Sequence, residues 1–281
     1  MNTESNPLIK YFRKPTIYVQ IPTGGRFNPE IPKTVLDEIP IMPMTAIDEI
    51  SLQSPDELLN GEALMNVIKS CVPTIPEPRD LCSIDADLLY LAIKYATYGK
   101  TVTHLHTCTK CEEKAEYNID INNVLEKFPE IHEVEPVVHE DLKIFIHPPK
   151  MESMTRLALI DVEQQRILNS VAAVGEDNIT EMELAKQFAI SFRKVSKQNV
   201  DLLINSIDRI ETPDNVVTDK DIIIEFMNNV PAMVIKEVSD RVQLVSKKPE
   251  DITTFEFSCD ACNHKDKVNF ELNPVNFSSA G

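Results

Sequence analysis

Apolar residues recur along the 281-residue chain with three successive rhythms. The first fifty residues carry no helical period. They hold Pro7, Pro15, Pro22, Pro29, Pro32, Pro40 and Pro43, and proline removes a backbone donor and blocks helix, so the region reads as an extended arm with short edge strands. Thr16–Ile21 (TIYVQI) reads as one such strand, followed by a turn at Thr23-Gly24-Gly25. Helical periods come next. Ser54-Pro55-Asp56-Glu57 combines a capping serine, a proline at the first helical position and a capping-box glutamate. Leu58, Leu59, Leu64, Val67 and Ile68 then form a stripe that ends at Pro73. A second helix is predicted from Asp85 to Tyr98, with Leu88, Leu89, Ala92, Ile93 and Ala96 on its apolar face and Gly99 as its stop.

Alternation replaces the helical period at Thr101, giving strand, Cys-x-x-Cys, strand through Ile121, and a strand pair is predicted over Val137–Ile146. After Pro148-Pro149 the period is helical for about a hundred residues by the same pattern criterion. Within it, Thr180–Glu183 and Thr218–Asp221 read as helix starts, and Pro231 opens a last helix ending near Lys247-Lys248-Pro249. The chain then returns to strand, Cys-x-x-Cys, strand (TTFEFS, Cys259–Cys262, KVNFEL). The predicted class is α+β: an N-terminal extended arm, a small zinc-ribbon-like β core from the two Cys-x-x-Cys hairpins, and a helical insertion between them. The predicted divisions are an arm at 1–53, helices plus first hairpin at 54–149, the helical insertion at 150–249, and the second hairpin with tail at 250–281.

Charge narrows the range of partners. The formal net charge is −17, which repels phosphate, so nucleic-acid binding would need a concentrated basic patch. The nearest run, Ser191–Gln198, has acidic neighbours and reads as a solvated helix face. Tryptophan is absent and aromatics are 6% of residues, which disfavours a base-stacking surface. No apolar run approaches membrane-spanning length, and the first residues lack the apolar stretch of a secretory signal. Folding in a reducing compartment is therefore expected, where cysteines serve as metal ligands or buried thiols. Cys71 and Cys82 read as buried thiols.

Cys108, Cys111, Cys259 and Cys262 are the chemical feature. A Cys-x-x-Cys pair at a hairpin tip converges two thiolates while turn amides point at the sulfurs, and two such knuckles complete a tetrahedral structural zinc site. One structural Zn2+ per chain is expected. A shift of 151 positions lays Cys108 on Cys259, Cys111 on Cys262, Lys114 on Lys265 and Asn118 on Asn269. Beyond these, Ile119 meets Phe270, Ile121 meets Leu272, Asn122 meets Asn273 and Val124 meets Val275, so the hairpins read as an internal repeat. Lys110, Lys114, Lys265 and Lys267 either offset the −2 charge of a four-thiolate zinc or are exposed strand lysines.

Rival chemistries fit less well. A redox Cys-x-x-Cys belongs at a helix N-terminus, whereas both pairs here precede strands. A catalytic zinc keeps an open position, so His104, His106 and His264 read as surface or supporting groups around a filled shell. Gly24-Gly25 lacks the Lys-Ser/Thr and helix of a phosphate loop. No catalytic motif is present and a non-enzymatic protein without a small-molecule substrate is expected.

The ordered segments IYVQIPTGGRF, MPMTAIDEI, SPDELLNGEALMNVIKSCVP, DLLYLAIKYATYG and the two Cys-x-x-Cys stretches together resemble the T-even-like bacteriophage baseplate hub assembly family. The resemblance spans about Ile17 to Phe277. It implies a structural or assembly component of a contractile-tailed phage baseplate hub, located in the virion tail and in the host cytoplasm during assembly. The implied partners are other tail and baseplate proteins, with no nucleic acid and no membrane, and it leaves room for homo-oligomerisation. It places metal ligands at Cys108, Cys111, Cys259 and Cys262 only. Two alternatives remain open at this stage: a transient tail-assembly chaperone absent from the mature virion, and a zinc-ribbon nucleic-acid or transcription adaptor.

Overall fold

The computed structural model describes residues 7–28, 30–33, 38–54, 61–131, 134–159, 181–248, 252 and 254–269. The expected arm strand is short: β1 (Ile17–Val19) pairs antiparallel with β2 (Ile39–Ile41), and Pro40 faces Tyr18. Arg13 fastens the arm. Its guanidinium donates to the carbonyls of Pro43 and Ser70, both at 2.8 Å, and to the Asp48 carboxylate at 3.2 Å. Asp48 in turn forms the capping box of α1 (Ala46–Ser51) with Thr45. Pro55–Glu57 of the expected helix start lie outside the described residues, as do Leu58 and Leu59.

Helix α2 (Glu62–Cys71) follows Gly61, which adopts φ +69° and leaves no room for a side chain, because a Cβ would sit 2.6 Å from Thr155 Oγ1. Helix α3 (Ser83–Tyr98) begins two residues before its predicted start and stops at Gly99, φ +90°. Its residues Ile84, Ala86, Leu88, Leu89, Leu91, Ala92 and Ile93 are all buried. A helix apolar on most of its circumference belongs at a domain centre. It packs with Ile39, Ile41, Val67, Ile68, Val102 and Ile119 in the first hydrophobic cluster.

The predicted hairpin around the first Cys-x-x-Cys is β3 (Thr101–Thr107) with β4 (Lys114–Asp120), in register from Thr101↔Asp120 to Thr107↔Lys114. Asp120 then caps the short helix α4 (Ile121–Glu126) by accepting from the Asn122 and Asn123 amides. The predicted strand pair is β5 (Val137–His139) with β6 (Leu142–Ile146).

The stretch read as continuously helical departs from that expectation. Helix occupies 151–159, α5 (Glu181–Asn205), α6 (Lys220–Asn229) and α7 (Ala232–Ser246). Between them lie β7 (Ile207–Glu211) and β8 (Val216–Val217), which complete a sheet of order β5-β6-β7-β8. Ile207 and Ile210 are spaced three apart, a helical interval. A register shift between Phe145 and Ile146 pairs Ile144 with Ile210 and Ile146 with Ile207, so a bulge brings both isoleucines into the core. The second hydrophobic cluster joins this sheet to α5–α7 through Ile204, Ile223, Met227, Val234, Val238 and Val242. Helix α6 starts within the predicted Thr218–Asp221 stretch, with Asp219 and not Thr218 as its capping residue, and Pro231 precedes α7 as predicted. Thr180 lies outside the described residues.

Backbone bonds from Ser83 N–H to Pro149 O and from Met151 N–H to Leu81 O, both 2.8 Å, tie the second cluster's sheet region to the head of α3. Lys248 reaches Asp87 at 2.6 Å. The chain then re-enters the first cluster through Ile252 and Phe257, leading into β9 (Thr254–Ser258) and β10 (Lys265–Asn269).

The predicted Thr23-Gly24-Gly25 turn takes positive φ at both glycines, and a buried carboxylate holds it. Asp85, in the first turn of α3, accepts from the Thr23 amide at 2.9 Å and hydroxyl at 2.6 Å. Burial raises the Asp85 carboxyl to about 6, against the lowering effect of the Thr23 bonds. The folded chain therefore holds this proton more tightly than the unfolded one, and the site loses stability as pH rises from about 4 to about 6. Asp85→Asn is expected to become more stable relative to the parent across that interval, by on the order of 2 kcal/mol above pH 6.5 in urea unfolding.

Candidate metal centre

Each knuckle builds itself from local backbone chemistry. In the first, Cys108 N–H donates to Glu113 O at 2.8 Å and Glu112 N–H to Cys108 O at 3.0 Å. In the second, Cys259 N–H donates to His264 O at 2.9 Å and Asn263 N–H to Cys259 O at 2.8 Å. Glu112 and Asn263 both take left-handed backbone, with φ 60° and 56°. Every one of these positions is related by the 151-residue shift, as are the first rungs Thr107↔Lys114 and Ser258↔Lys265. The repeat inferred from residue identities is thus also a repeat of hydrogen bonds and dihedrals. Its later matches, Phe270 to Val275, lie outside the described residues.

The two tips meet. Cys108 Sγ lies 3.7 Å from Cys262 Sγ and Cys111 Sγ lies 3.6 Å from Cys259 Sγ, and all four sulfurs fall within 4.8 Å of one another. These separations far exceed a disulfide bond, and all four are free thiols. They approximate the edge of about 3.8 Å that follows from four metal–sulfur bonds of about 2.3 Å in a tetrahedron. Backbone amides point at the sulfurs: Glu113 at Cys111, Cys262 and Ala261 at Cys259, and His264 at Cys262. The amides of Cys262 and Ala261 draw the Cys259 thiol down to about 7. Cys111 is pushed up to about 12: the Glu113 amide lowers it, and the neighbouring sulfurs outweigh that effect. Four thiolates this close would repel one another, and a bound divalent cation would remove the conflict. The donor set suits Zn2+ in a closed structural site.

The surrounding residues separate into those that touch the site and those that do not. His106 and His264 turn their Nε2 atoms to Asp266, at 3.0 and 3.3 Å. His104 stacks on Phe257 with ring centroids 5.9 Å apart. Lys110, Lys114, Lys265 and Lys267 are exposed, and Lys265 pairs with Glu256 at 2.7 Å. Cys71 and Cys82 are fully buried, as predicted. Asp266 was not legible from sequence. It is buried, and its carboxylate accepts from Thr109 N–H at 3.1 Å and from the Thr109 hydroxyl. The Thr109 hydroxyl, His106 and the Thr109 amide together hold its pKa well below the usual carboxylate range. A cleft of about 1100 Å³ beside β1 and the Thr23–Gly25 turn contains none of the four cysteines.

The sequence matches the family described as T4 bacteriophage base plate protein over residues 15–275. The chain belongs to that family. No curated protein and no solved structure matches it. The T4 base plate match begins at the fastened arm, includes both knuckles and ends beyond β10. Membership in the base plate family supports a structural role in the virion tail, in contact with other tail and baseplate proteins. No described helix is long and apolar enough to cross a membrane.

The left-handed residues at the knuckles give a local test. Because a Cβ disfavours positive φ and β-branching disfavours it further, stability should rank Glu112→Gly above the parent and the parent above Glu112→Val. Steps of roughly 1 kcal/mol are expected in urea unfolding.

Proposed function

We propose that this baseplate-family chain is a component of the hub, structural or assembly-directing, whose two distant hairpins are stapled by one Zn2+ on Cys108, Cys111, Cys259 and Cys262. The convergence of four sulfurs from two knuckles 148 and 154 positions apart carries this reading. A cation there would supply charge compensation and cross-linking, without a reaction. The four cysteines fill its shell and leave no open position for substrate. The zinc-ribbon description applies to the two hairpins, with the 150–249 segment inserted between them. Exposed apolar residues of the arm and of that segment, such as Tyr11, Phe12, Ile222 and Met233, are offered to neighbouring subunits, including further copies of the chain.

The acidic balance of the chain supports protein partners over nucleic acid. Elemental analysis is expected to find about one zinc per chain, on the basis of this four-ligand site. Chelation should lower the unfolding temperature, and Cys259→Ser should abolish both the metal content and the response to chelator. A metal-free parent of equal stability would remove the staple. Mass spectrometry of purified virions is expected to detect the chain at a stoichiometric level. Its absence there, with presence in assembly intermediates, would instead identify a transient chaperone. Tight DNA or RNA retention in a low-salt filter assay would favour the adaptor reading.

A further inference from the structure

The two knuckles share backbone geometry but differ in side chains, and one of those differences is a buried carboxylate. The 151-residue shift lays Asp266 of β10 on Ala115 of β4. Asp266 reaches across to the opposite knuckle and grips Thr109, the residue that follows Cys108, by both amide and hydroxyl. His106 of β3 donates to the same carboxylate at 3.0 Å, and His264 approaches it at 3.3 Å. An ionised carboxylate has only acceptors, so the His106 Nε2 faces it as a donor.

Charge compensation cannot be its purpose, since a carboxylate adds negative charge beside a four-thiolate centre. Its contribution is directional. Other contacts between the described parts of the hairpins include the Tyr117–Phe257 stack, with centroids 4.4 Å apart, the His104 and His106 rings against Phe257, both at 5.9 Å, and the bond from the Tyr117 hydroxyl to Ser258 O at 3.2 Å. Stacked rings permit sliding, whereas a carboxylate bonded to both donors of one threonine fixes register.

We infer that Asp266 is a positioning residue that latches the second hairpin onto the first in the absence of metal, so that Cys108, Cys111, Cys259 and Cys262 are gathered before the ion arrives. This rests on the reading of the four cysteines as a metal site. The metal then meets an assembled tetrad and does not itself have to draw together two remote ends of the chain.

The test uses the full chain with Asp266→Ala, Thr109→Val and Thr109→Ser. Alanine is the residue at the equivalent position of the first hairpin, so β10 should accommodate it, and Thr109→Ser keeps both donors. Zinc affinity, measured by competition with a chromophoric chelator, should fall ten- to a hundredfold in Asp266→Ala, a typical scale for loss of an outer-shell partner. It should fall at least about fivefold in Thr109→Val and stay within about twofold in Thr109→Ser. The Co2+ thiolate spectrum of the loaded proteins should be unchanged, because the ligands are the same.

A second readout needs no metal. Diamide takes up two electrons and two protons as each pair of thiols becomes a disulfide. In the metal-free parent it should yield chiefly the cross-hairpin pairs Cys108–Cys262 and Cys111–Cys259. In Asp266→Ala and Thr109→Val, peptide mapping should show the within-knuckle pairs Cys108–Cys111 and Cys259–Cys262 gaining at least severalfold. Unchanged affinity together with an unchanged disulfide partition would overturn the latch. A parent that takes up no metal would defeat the zinc reading alone, and the disulfide partition would still decide the latch. If Asp266→Ala does not fold, Thr109→Val decides both readouts.

Discussion

The meeting of the two knuckle tips governs the connectivity of the whole chain. The polypeptide leaves the first hydrophobic cluster after β4 and α4, builds a second cluster from the β5–β8 sheet and α5–α7, and returns as β9 and β10. The returning hairpin reaches the first cluster mainly through Ile252, Phe255, Phe257 and Val268. That is a small apolar contribution with which to close a long excursion. Closing a flexible loop of about 150 residues costs roughly 4 kcal/mol in chain entropy. Directional bonds at the tips, from Thr109 to the Asp266 carboxylate, are suited to offset that cost, and thiolate bonds to the proposed cation would add to them.

The knuckles are repeated units put to unequal use. Both are closed by the same pair of backbone bonds around a left-handed residue, so each presents two thiols from one local turn. The first is continuous with the core, since Val102, Ile119 and Ile121 of its strands and following helix are buried beside α3. The second relies on what it can grip. Asp266 supplies that grip where the first hairpin has Ala115. A rigid acceptor and a docking partner have thus been made from one local motif by a single buried carboxylate.

Short fastenings between separate segments hold the described parts of the chain together. Arg13 binds the arm to α1 and α2, Asp85 holds the Thr23 turn against α3, and the Leu81–Met151 bond joins α3 to the sheet region of the second cluster. Most of these fastenings pair a charged side chain with backbone groups, geometry that sequence periodicity does not encode.

The four cysteines, the hairpins around them and the 151-residue repeat were legible in the chain alone, because a knuckle depends on residues within six positions of one another. Helix ends at Gly99, Asp219 and Pro231 were legible for the same reason: capping and φ restriction are local. The family resemblance, carried by ordered segments from the arm to the second knuckle, agrees with the match over residues 15–275. What the sequence misrepresented was Ile207 and Ile210, whose spacing imitates a helix until a bulge against β6 places both on one sheet face. What it could not contain was the partner of Asp266, which lies 157 positions away. Local chemistry determined that this protein would make two sulfur-bearing turns. Their meeting was already expected from the pairing of two Cys-x-x-Cys turns. Only the tertiary structure decided how they are held face to face, by Asp266 on Thr109, because contact between remote segments depends on how the intervening core packs and not on the spacing of residues along the chain.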